Sequence, residues 1–373
     1  MRVLTLIDCV QSYGRGVLAG MARYGNAQGG WTLLLHHASQ SVQRMPVVDD
    51  DVRGVIAYAF RPGLIKSLHQ CGLPAVNTSS VAADAGMPAV LPDDAAIGRL
   101  AADDLVGRGY RQLVALHLPI WEFSRVRAKA FVERANELGA QASTHRLPSW
   151  KRAEPSIREL LERRPTPLGV FASSDMLAVF VVRQAIAMKV AMPEQVAVLG
   201  VDNDELTTQM MAPTISSVAV PWEKLGFEAA AKLDRMIKGE QVDREPTRIA
   251  PTAVVTRQTT DGLAVDDEYV AAAASFIRRR VAEPFTIEDV VQCVPMSRRS
   301  LEQRFKKSFG RTLQSYIIDI RIERAKQLLT ETDYPMPEVA YRSGFSEAAY
   351  FATVFRKHVR QTPTAFRSSY RLI

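Results

Sequence analysis

Cysteine, histidine and long apolar runs are all scarce in this sequence, and each shortage removes a class of function. The three cysteines, Cys9, Cys71 and Cys293, lie far apart in 373 residues. They offer neither a disulfide framework nor the short ligand spacings of a zinc site. No stretch approaches the roughly 18 consecutive apolar residues of a membrane helix. The chain opens directly on the apolar run 3–7, without a basic start followed by a signal-length segment. The expectation is a cytoplasmic protein with no membrane contact.

Catalytic and cofactor patterns are also missing. Ser173 and Ser174 lack the glycines of a nucleophile elbow, and nothing places one of the six histidines near them. Carboxylates such as Asp8, Asp93 and Asp202 leave an acid–base pair of a sugar-cleaving enzyme open in principle, but a DNA-binding tail would be odd on such an enzyme. The pair His36-His37 has no third ligand at useful spacing and reads as a surface or strand-end pair rather than a metal site. Gly14, Gly16 and Gly20 form a near GxGxxxG at a helix start, which could cradle a dinucleotide. Against that, five or six residues separate the first strand from Gly14, and the second strand, 32–35, leads into His36-His37-Ala38 with no acidic residue for a ribose. A helix packing closely on the sheet explains these glycines more simply. No cofactor, no metal and no enzymatic activity are expected.

What is present is concentrated in the last hundred residues. Val339 and Ala340 give a short helix its small apolar face, Gly344 supplies a left-handed residue that ends it, and Ser346 can cap the next helix. Phe351 and Phe355 then fall four apart on one face. An upstream unit repeats the plan: Thr286 and Asp289 form a capping-box-like start, Val290 and Val291 turn inward, Ser297 caps, and Leu301 and Phe305 bury four apart. Its second helix therefore turns Arg298, Arg299, Glu302, Gln303 and Arg304 outward, the side chains that a DNA major groove would meet. The corresponding downstream helix exposes Glu347, Ala348, Ala349, Tyr350, Ala352, Thr353, Arg356 and Lys357, so few donors that it is expected to position more than to read. Between the units, Gly310 closes one helix and residues 314–330 carry Ile318, Ile322, Ala325 and Leu329 at helical spacing.

Charge follows the same division. Residues 269–373 hold 18 Lys+Arg against 10 Asp+Glu, while residues 1–268 hold 29 against 30. The last segment therefore carries +8 and the rest −1, which together give the net +7, and that excess can displace counterions from DNA phosphates. Runs such as Arg278-Arg279-Arg280 and Lys306-Lys307 are often no more than solvated helix faces, but here they flank two helix-turn-helix patterns.

With Arg321-Ile-Glu-Arg324-Ala325, Gly344-Phe345-Ser, Tyr350-Phe351, Val354-Phe355-Arg-Lys and Thr362-Pro363 in order, residues 269–373 resemble the AraC-type transcription-regulator domain. Two positions depart from that pattern. Pro295 stands in the first turn, and Arg360 stands before the Thr-Pro, where the family commonly has glycine; both turns must be closed another way.

The length and the 47% hydrophobic content leave room for further cores in residues 1–256. There, strand-like runs at 3–7, 32–35, 54–59, 75–77, 113–116, 169–172 and 196–200 alternate with helical ones at 16–26, 62–70, 125–138, 175–188 and 222–238. That alternation predicts parallel sheets covered by helices on both faces, with ligands held beyond the carboxyl ends of the strands. The residues that follow those strands include Asp8 to Tyr13, Trp121 to Arg127, Ser173 to Asp175, and Asp202 with Asn203.

Those positions carry a second resemblance. Tyr13-Gly-Arg15 to Gly20, Arg127-x-x-x-Phe131, Phe171-Ala-Ser-Ser-Asp175, Leu199-Gly-Val-Asp202-Asn203 and Ser217-Val218 to Ala230 are similar to the effector domain of lactose-repressor-type regulators, itself similar to periplasmic sugar-binding proteins. The N-terminal DNA-binding headpiece usual in that family is expected to be missing, because the chain opens on the first strand. A sensing domain of this type ahead of an AraC-type reader is the architecture of the xylose operon regulators.

The resemblance implies a two-lobed sensor at 1–256, a polar linker at 257–268 and an all-α reader at 269–373. It implies a homodimer that binds double-stranded DNA, answers to a sugar held between the lobes, D-xylose first, and contacts RNA polymerase on the nucleoid. It carries ligand roles onto Arg127, although Ala130 replaces the usual glycine, and onto Asp202 and Ser174. Asp8, Tyr13, Trp121 and Asn203 complete the expected pocket. Carboxylate and guanidinium groups suit vicinal hydroxyls, and Trp121 or Phe123 suits an apolar sugar face. Other readings stay open: Asp175 as a helix N-cap, Trp121 as core, Asn203 as a turn former, and a non-sugar effector such as a purine.

Overall fold

Strand and helix alternate through the first 256 residues of the computed structural model, which describes residues 1–36, 44–47, 49–82, 85–163, 165, 167–262, 264, 267–283 and 285–370. His37 of the histidine pair lies outside them. The order is β1 (Arg2–Leu6), α1 (Ser12–Gln28), β2 (Thr32–His36), β3 (Val52–Ala57), α2 (Pro62–Gln70), β4 (Ala75–Asn77), β5 (Val90–Pro92), α3 (Asp94–Gly107), β6 (Gln112–His117), α4 (Glu122–Glu137), β7 (Gln141–Arg146), α5 (Ala153–Arg163), β8 (Leu168–Ala172), α6 (Asp175–Ala187), β9 (Val196–Asp202), α7 (Glu205–Gln209), β10 (Ser216–Ala219), α8 (Trp222–Ile237), β11 (Thr247–Ile249) and β12 (Val254–Val255). Among the described residues seven helices follow: α9 (Glu268–Arg279), α10 (Ile287–Gln292), α11 (Arg298–Phe309), α12 (Leu313–Glu331), α13 (Met336–Arg342), α14 (Ala348–Val359) and α15 (Pro363–Tyr370).

The chain divides into two units, the first made of Met1–Ala96, Pro119–Val126 and Val220–Pro251, the second of Ile97–Leu118, Arg127–Ala219 and Thr252–Ile373. In the first, a parallel sheet runs β2-β1-β3-β4, and a bridge from Asn77 to Ala89 continues it toward the parallel pair β5 and β11. Successive residues of β1 point to opposite faces. Val3 and Ile7 join a core with Val17 and Met21 of α1 and Leu225 and Leu233 of α8, whereas Leu4 and Leu6 join Leu64 and Leu68 of α2. Burial on both faces is why β1 reads as an unbroken apolar run.

The glycines near the chain start have a more specific cause than the expected packing on the sheet. A methyl group at Gly20 would strike the Glu223 carbonyl, one at Gly226 the Val17 carbonyl, and one at Gly16 would lie 2.6 Å from the Trp222 Cβ. They let α1 and α8 touch backbone to backbone. Gly14 instead makes room for the carbonyl of Asp8, in the loop after β1.

In the second unit the sheet order is β12-β10-β9-β8-β6-β7, parallel except that β12 runs antiparallel to β10. The same unit contains the helical segment, built around two cores. Leu313, Tyr316 and Ile317 of α12 pack with Val290, Leu301 and Phe305; Ile322, Ala325, Leu328 and Leu329 of the same helix pack with Val339, Phe351, Phe355 and Phe366. One helix of 19 residues, about 28 Å long, is thus shared by both helix-turn-helix units. The expected linker is only partly a spacer. Thr259 and Thr260 are fully buried, the Thr259 carbonyl accepts from Val198 N–H and its own N–H donates to the Thr214 carbonyl. Two arginines attach the helical segment to the sheet-bearing part of its unit: Arg111 donates to the Ser308 carbonyl at 2.7 Å, and Arg311 donates to the Gly107 carbonyl at 3.4 Å.

Candidate functional site

The strands of the second unit deliver three groups of interest to their carboxyl ends. Arg127, on α4 and 3% exposed, donates to the Ser173 carbonyl at 2.8 Å after β8 and lies 3.8 Å from the Asp202 carboxylate at the end of β9. Ser174 does not stand free beside them: its hydroxyl caps α6 by accepting from Leu177 N–H. This corrects the reading of Asp175 as the N-cap, since Asp175 is the first helical residue and its carboxylate points inward. It is 2% exposed. The Ser217 hydroxyl donates to it at 2.6 Å and the Asp204 N–H at 2.8 Å. Burial, reinforced by the neighbouring Asp202 charge, holds the Asp175 carboxyl well above the ordinary carboxylate range.

Asp202 and Asn203 carry positive φ, 110° and 52°. Two successive L-residues in that region cost of order 1–3 kcal/mol each unless their surroundings impose the conformation. Here they do: Asn203 N–H donates to the Ser217 hydroxyl at 3.0 Å, and the Arg257 guanidinium donates to the Asn203 side-chain oxygen at 2.7 Å. Asn203 therefore shapes the turn, as the sequence allowed. Gly200 belongs to the same arrangement, since a methyl there would collide with the Asp175 carboxylate.

In the first unit, the first turn of α1 brings Tyr13 into an aromatic cluster, 4.9 Å from Tyr58 and 6.0 Å from Trp222 by ring centroids, with Phe60 5.8 Å beyond Tyr58. Asp8 accepts from Val10 N–H at 2.9 Å and so stiffens the loop after β1. Trp121 is half-buried and stacks on Phe123 at 5.5 Å, which makes it neither core nor a fully presented wall. An open cavity of about 1190 Å³ in this unit is lined by Lys66, His69, Asp93, Glu122, Phe123 and Arg248 among others. Asp8, Tyr13 and Trp121 do not line it. Sequence reasoning passed over Lys66, His69 and Arg248 because no single run contains them; Asp93, directly after β5, was findable by the strand-end rule.

The helical segment keeps its expected hydrogen-bonding logic with one exception. The Thr286–Asp289 capping box, the Ser297 cap of α11 and the left-handed Gly310 and Gly344 are all present. Ser346 does not cap α14; Glu347 occupies the N-cap position without a side-chain bond, because the helix starts one residue later than a Ser346 cap requires. Arg360 closes α14 in the left-handed region itself, at φ 63°, with its N–H on the Arg356 carbonyl. The turn containing Pro295 needs no left-handed residue: Val294 is buried, Met296 N–H bonds the Val294 carbonyl, and no φ from 293 to 297 is positive.

Among the expected DNA-facing groups the structure draws a distinction. Arg298 is engaged by Glu302 at 2.9 Å and Glu288 at 2.6 Å, and Arg304 by Asp267 at 3.2 Å. Arg299 and Gln303, four apart and both exposed, have no such partner among the described residues, and neither have Arg356 and Lys357 on α14. The exposed face of α14 otherwise offers Glu347, Ala348, Tyr350 and Thr353, whose hydroxyl bonds back to the Ala349 carbonyl.

Comparison with known proteins agrees with both halves. Residues 102–260 match the model of a periplasmic binding protein-like domain and residues 290–369 that of a helix-turn-helix domain. The chain is 28% identical over 385 aligned residues to a xylose operon regulatory protein of Haemophilus influenzae, covering 98% of each. It is 29% identical over 219 residues to the xylose operon regulatory protein of Escherichia coli K12, spanning 59% of this chain and 56% of that one. A solved structure of a xylose-binding transcription activator superposes with a TM-score of 0.63 at 25% identity, covering 98% of this chain and 97% of the other. No helix among the described residues is long and apolar enough to cross a membrane.

Proposed function

We propose, from the premise that this chain is a DNA-binding transcription regulator with a periplasmic-binding-protein-like sensor ahead of an AraC-type reader, that its effector is a pentose and in the first instance D-xylose. The observation that carries the reading is the Arg127–Asp202 pair, a guanidinium and a carboxylate 3.8 Å apart beyond the strand ends of the second unit. Adjacent sugar hydroxyls both donate and accept, and such a pair offers one partner for each role in charge-assisted bonds. A relative aligned over 98% of the chain is named as a xylose operon regulatory protein and a solved structure covering the same share as a xylose-binding transcription activator, which supports the pentose.

In the second unit we assign effector contact to Arg127, Ser174, Asp202 and Asn203, and in the first to Asp8, Tyr13 and Trp121. We divide the chain into a sensor at 1–256, a connecting segment at 257–268 and a reader at 269–373. Base reading falls to Arg299 and Gln303, with Arg298, Glu302 and Arg304 setting the helix by their ion pairs. Glu347, Ala348, Tyr350, Thr353, Arg356 and Lys357 of α14 lie against the backbone of the duplex. A cytoplasmic, nucleoid-bound homodimer in contact with RNA polymerase completes the proposal. Effector binding shifts the population of sensor conformations by its differential affinity and so changes the presentation of the reader.

Calorimetric titration with D-xylose, L-arabinose, D-ribose and D-glucose tests the effector. Saturable heat with a pentose supports the proposal; no heat with any of the four removes it. Footprinting on the DNA upstream of the chain's own gene at two salt concentrations tests the reader, which protects a defined segment and loses it steeply as salt rises.

A further inference from the structure

We propose that Asp175 and Arg257 are positioning residues for effector recognition: together they fix the Asp202–Asn203 turn and thereby aim the Asp202 carboxylate. The proposal rests on the assignment of Asp202 to effector contact. Two consecutive residues, Asn203 and Asp204, are tied by three bonds to three separate elements. Asp204 N–H is held by the Asp175 carboxylate on α6, Asn203 N–H by Ser217 on β10, and the Asn203 side chain by Arg257, which follows β12. Asp175 also holds the Ser217 hydroxyl that receives Asn203, so the first two tethers converge on one carboxylate.

Turn chemistry explains why tethers are required. A φ of 110° at Asp202 lies outside even the left-handed well that Asp and Asn tolerate, so a free turn would relax and swing the carboxylate away from Arg127. Neither positioning side chain acts by presenting itself. Asp175 is buried and faces the turn from behind, and Arg257 spends its guanidinium on Asn203 and on the Ile215 carbonyl at 3.0 Å. Arg257 also stands near the end of the stretch that matches the sensor domain, where the chain leads on toward the reader. Its backbone N–H and carbonyl both bond the Ser216 hydroxyl, so the segment that leads to the reader is fastened to the turn that carries Asp202.

A small-sugar titration of the full chain tests this, using D-xylose and L-arabinose as probes. The two pentoses differ in the orientation of hydroxyl groups, so a mis-aimed carboxylate changes the ratio of their dissociation constants. A merely destabilised protein loses apparent affinity for both alike. Arg257→Ala is expected to weaken the preferred pentose tenfold or more and to bring the ratio toward one, and Arg257→Lys, which keeps one donor for Asn203, recovers part of both. Asp175→Ala should act in the same direction; should it fail to fold, Ser217→Ala removes the second of the two tethers that converge on Asp175 and stands in for it. A ratio unchanged in folded Arg257→Ala, whether or not both sugars weaken, overturns the proposal. Undiminished binding by Asp202→Ala also overturns it, but by removing the effector assignment beneath it, an outcome that a different variant reports.

Discussion

At the scale of single residues, Asp175 is a carboxyl kept from water by the fold it supports. Its native pKa is raised by burial and by Asp202, while an exposed carboxyl titrates near 3.8. The native state therefore holds the proton more tightly than the unfolded state. Its contribution is complete below the unfolded value and is lost as pH rises toward the native one. Asp175→Asn has no proton to lose, so its stability relative to the parent should climb as pH rises above about 4. Denaturation at a series of pH values measures this, and a pH-independent difference would count against a protonated Asp175.

Arg360 offers a second test. It holds a left-handed conformation that costs an L-residue roughly 1 kcal/mol. Arg360→Gly should therefore stabilise the reader by up to about 1 kcal/mol in urea unfolding, less what glycine gives back as unfolded-state entropy. A loss of stability would show that the Arg360 side chain contributes more than its backbone costs. That the turn must be closed without glycine was legible from the sequence. That arginine itself would take the left-handed position was not, because nothing local distinguishes a tolerated outlier from a rearranged loop.

At the scale of elements, the helices that read best from sequence are those with a one-sided apolar face and strong punctuation. Thr286 with Asp289, Ser297 and Gly310 bound α10 and α11 because each satisfies orphan backbone groups at a helix end. β7 was passed over for the opposite reason. At the sheet edge, with sequence Gln-Ala-Ser-Thr-His-Arg, it buries too little to show an apolar run. The glycines of α1 were read as packing on a sheet because sequence locates a small residue but not its neighbour, and the neighbour, α8, is some two hundred positions away.

The two reading helices also part company at this scale. Arg298 and Arg304 are held by carboxylates of their own chain, whereas Arg299 and Gln303 on α11, proposed above to meet bases, have no such ion pair among the described residues. Arg299→Ala should cost about 1–3 kcal/mol of operator affinity and relax preference at one base pair. Lys357→Ala should weaken all sequences alike and reduce the salt slope by about one. A binding-site selection experiment on both variants separates the roles; identical profiles would mean that α11 also contacts only phosphate.

At the scale of the whole molecule, Asp202 and the first helix-turn-helix unit belong to one chain of connections within the second unit. Asp202 lies beside Asn203, Asn203 is held by Arg257, and residues 259 and 260 just beyond are buried against the sheet. Arg108, fully buried, donates to the Thr256 hydroxyl at 2.6 Å and to the Thr260 carbonyl at 2.5 Å. Arg111 and Arg311 lie close by and carry the contact into the first helix-turn-helix unit. The sequence announced a sensor and a reader by motif and charge, but described the segment joining them as a polar spacer. Its threonines are buried by pairing with distant strands, which local composition cannot reveal.

These connections give sensor and reader a physical route for coupling, and coupling between two binding equilibria is reciprocal. The direct measurement is the operator affinity of the full chain, at one fixed salt concentration, without sugar and with saturating D-xylose. A change of about fivefold or more is expected, matched by an equal change in D-xylose affinity when operator is present. Identical operator affinities in the two conditions, with D-xylose demonstrably bound, would contradict it.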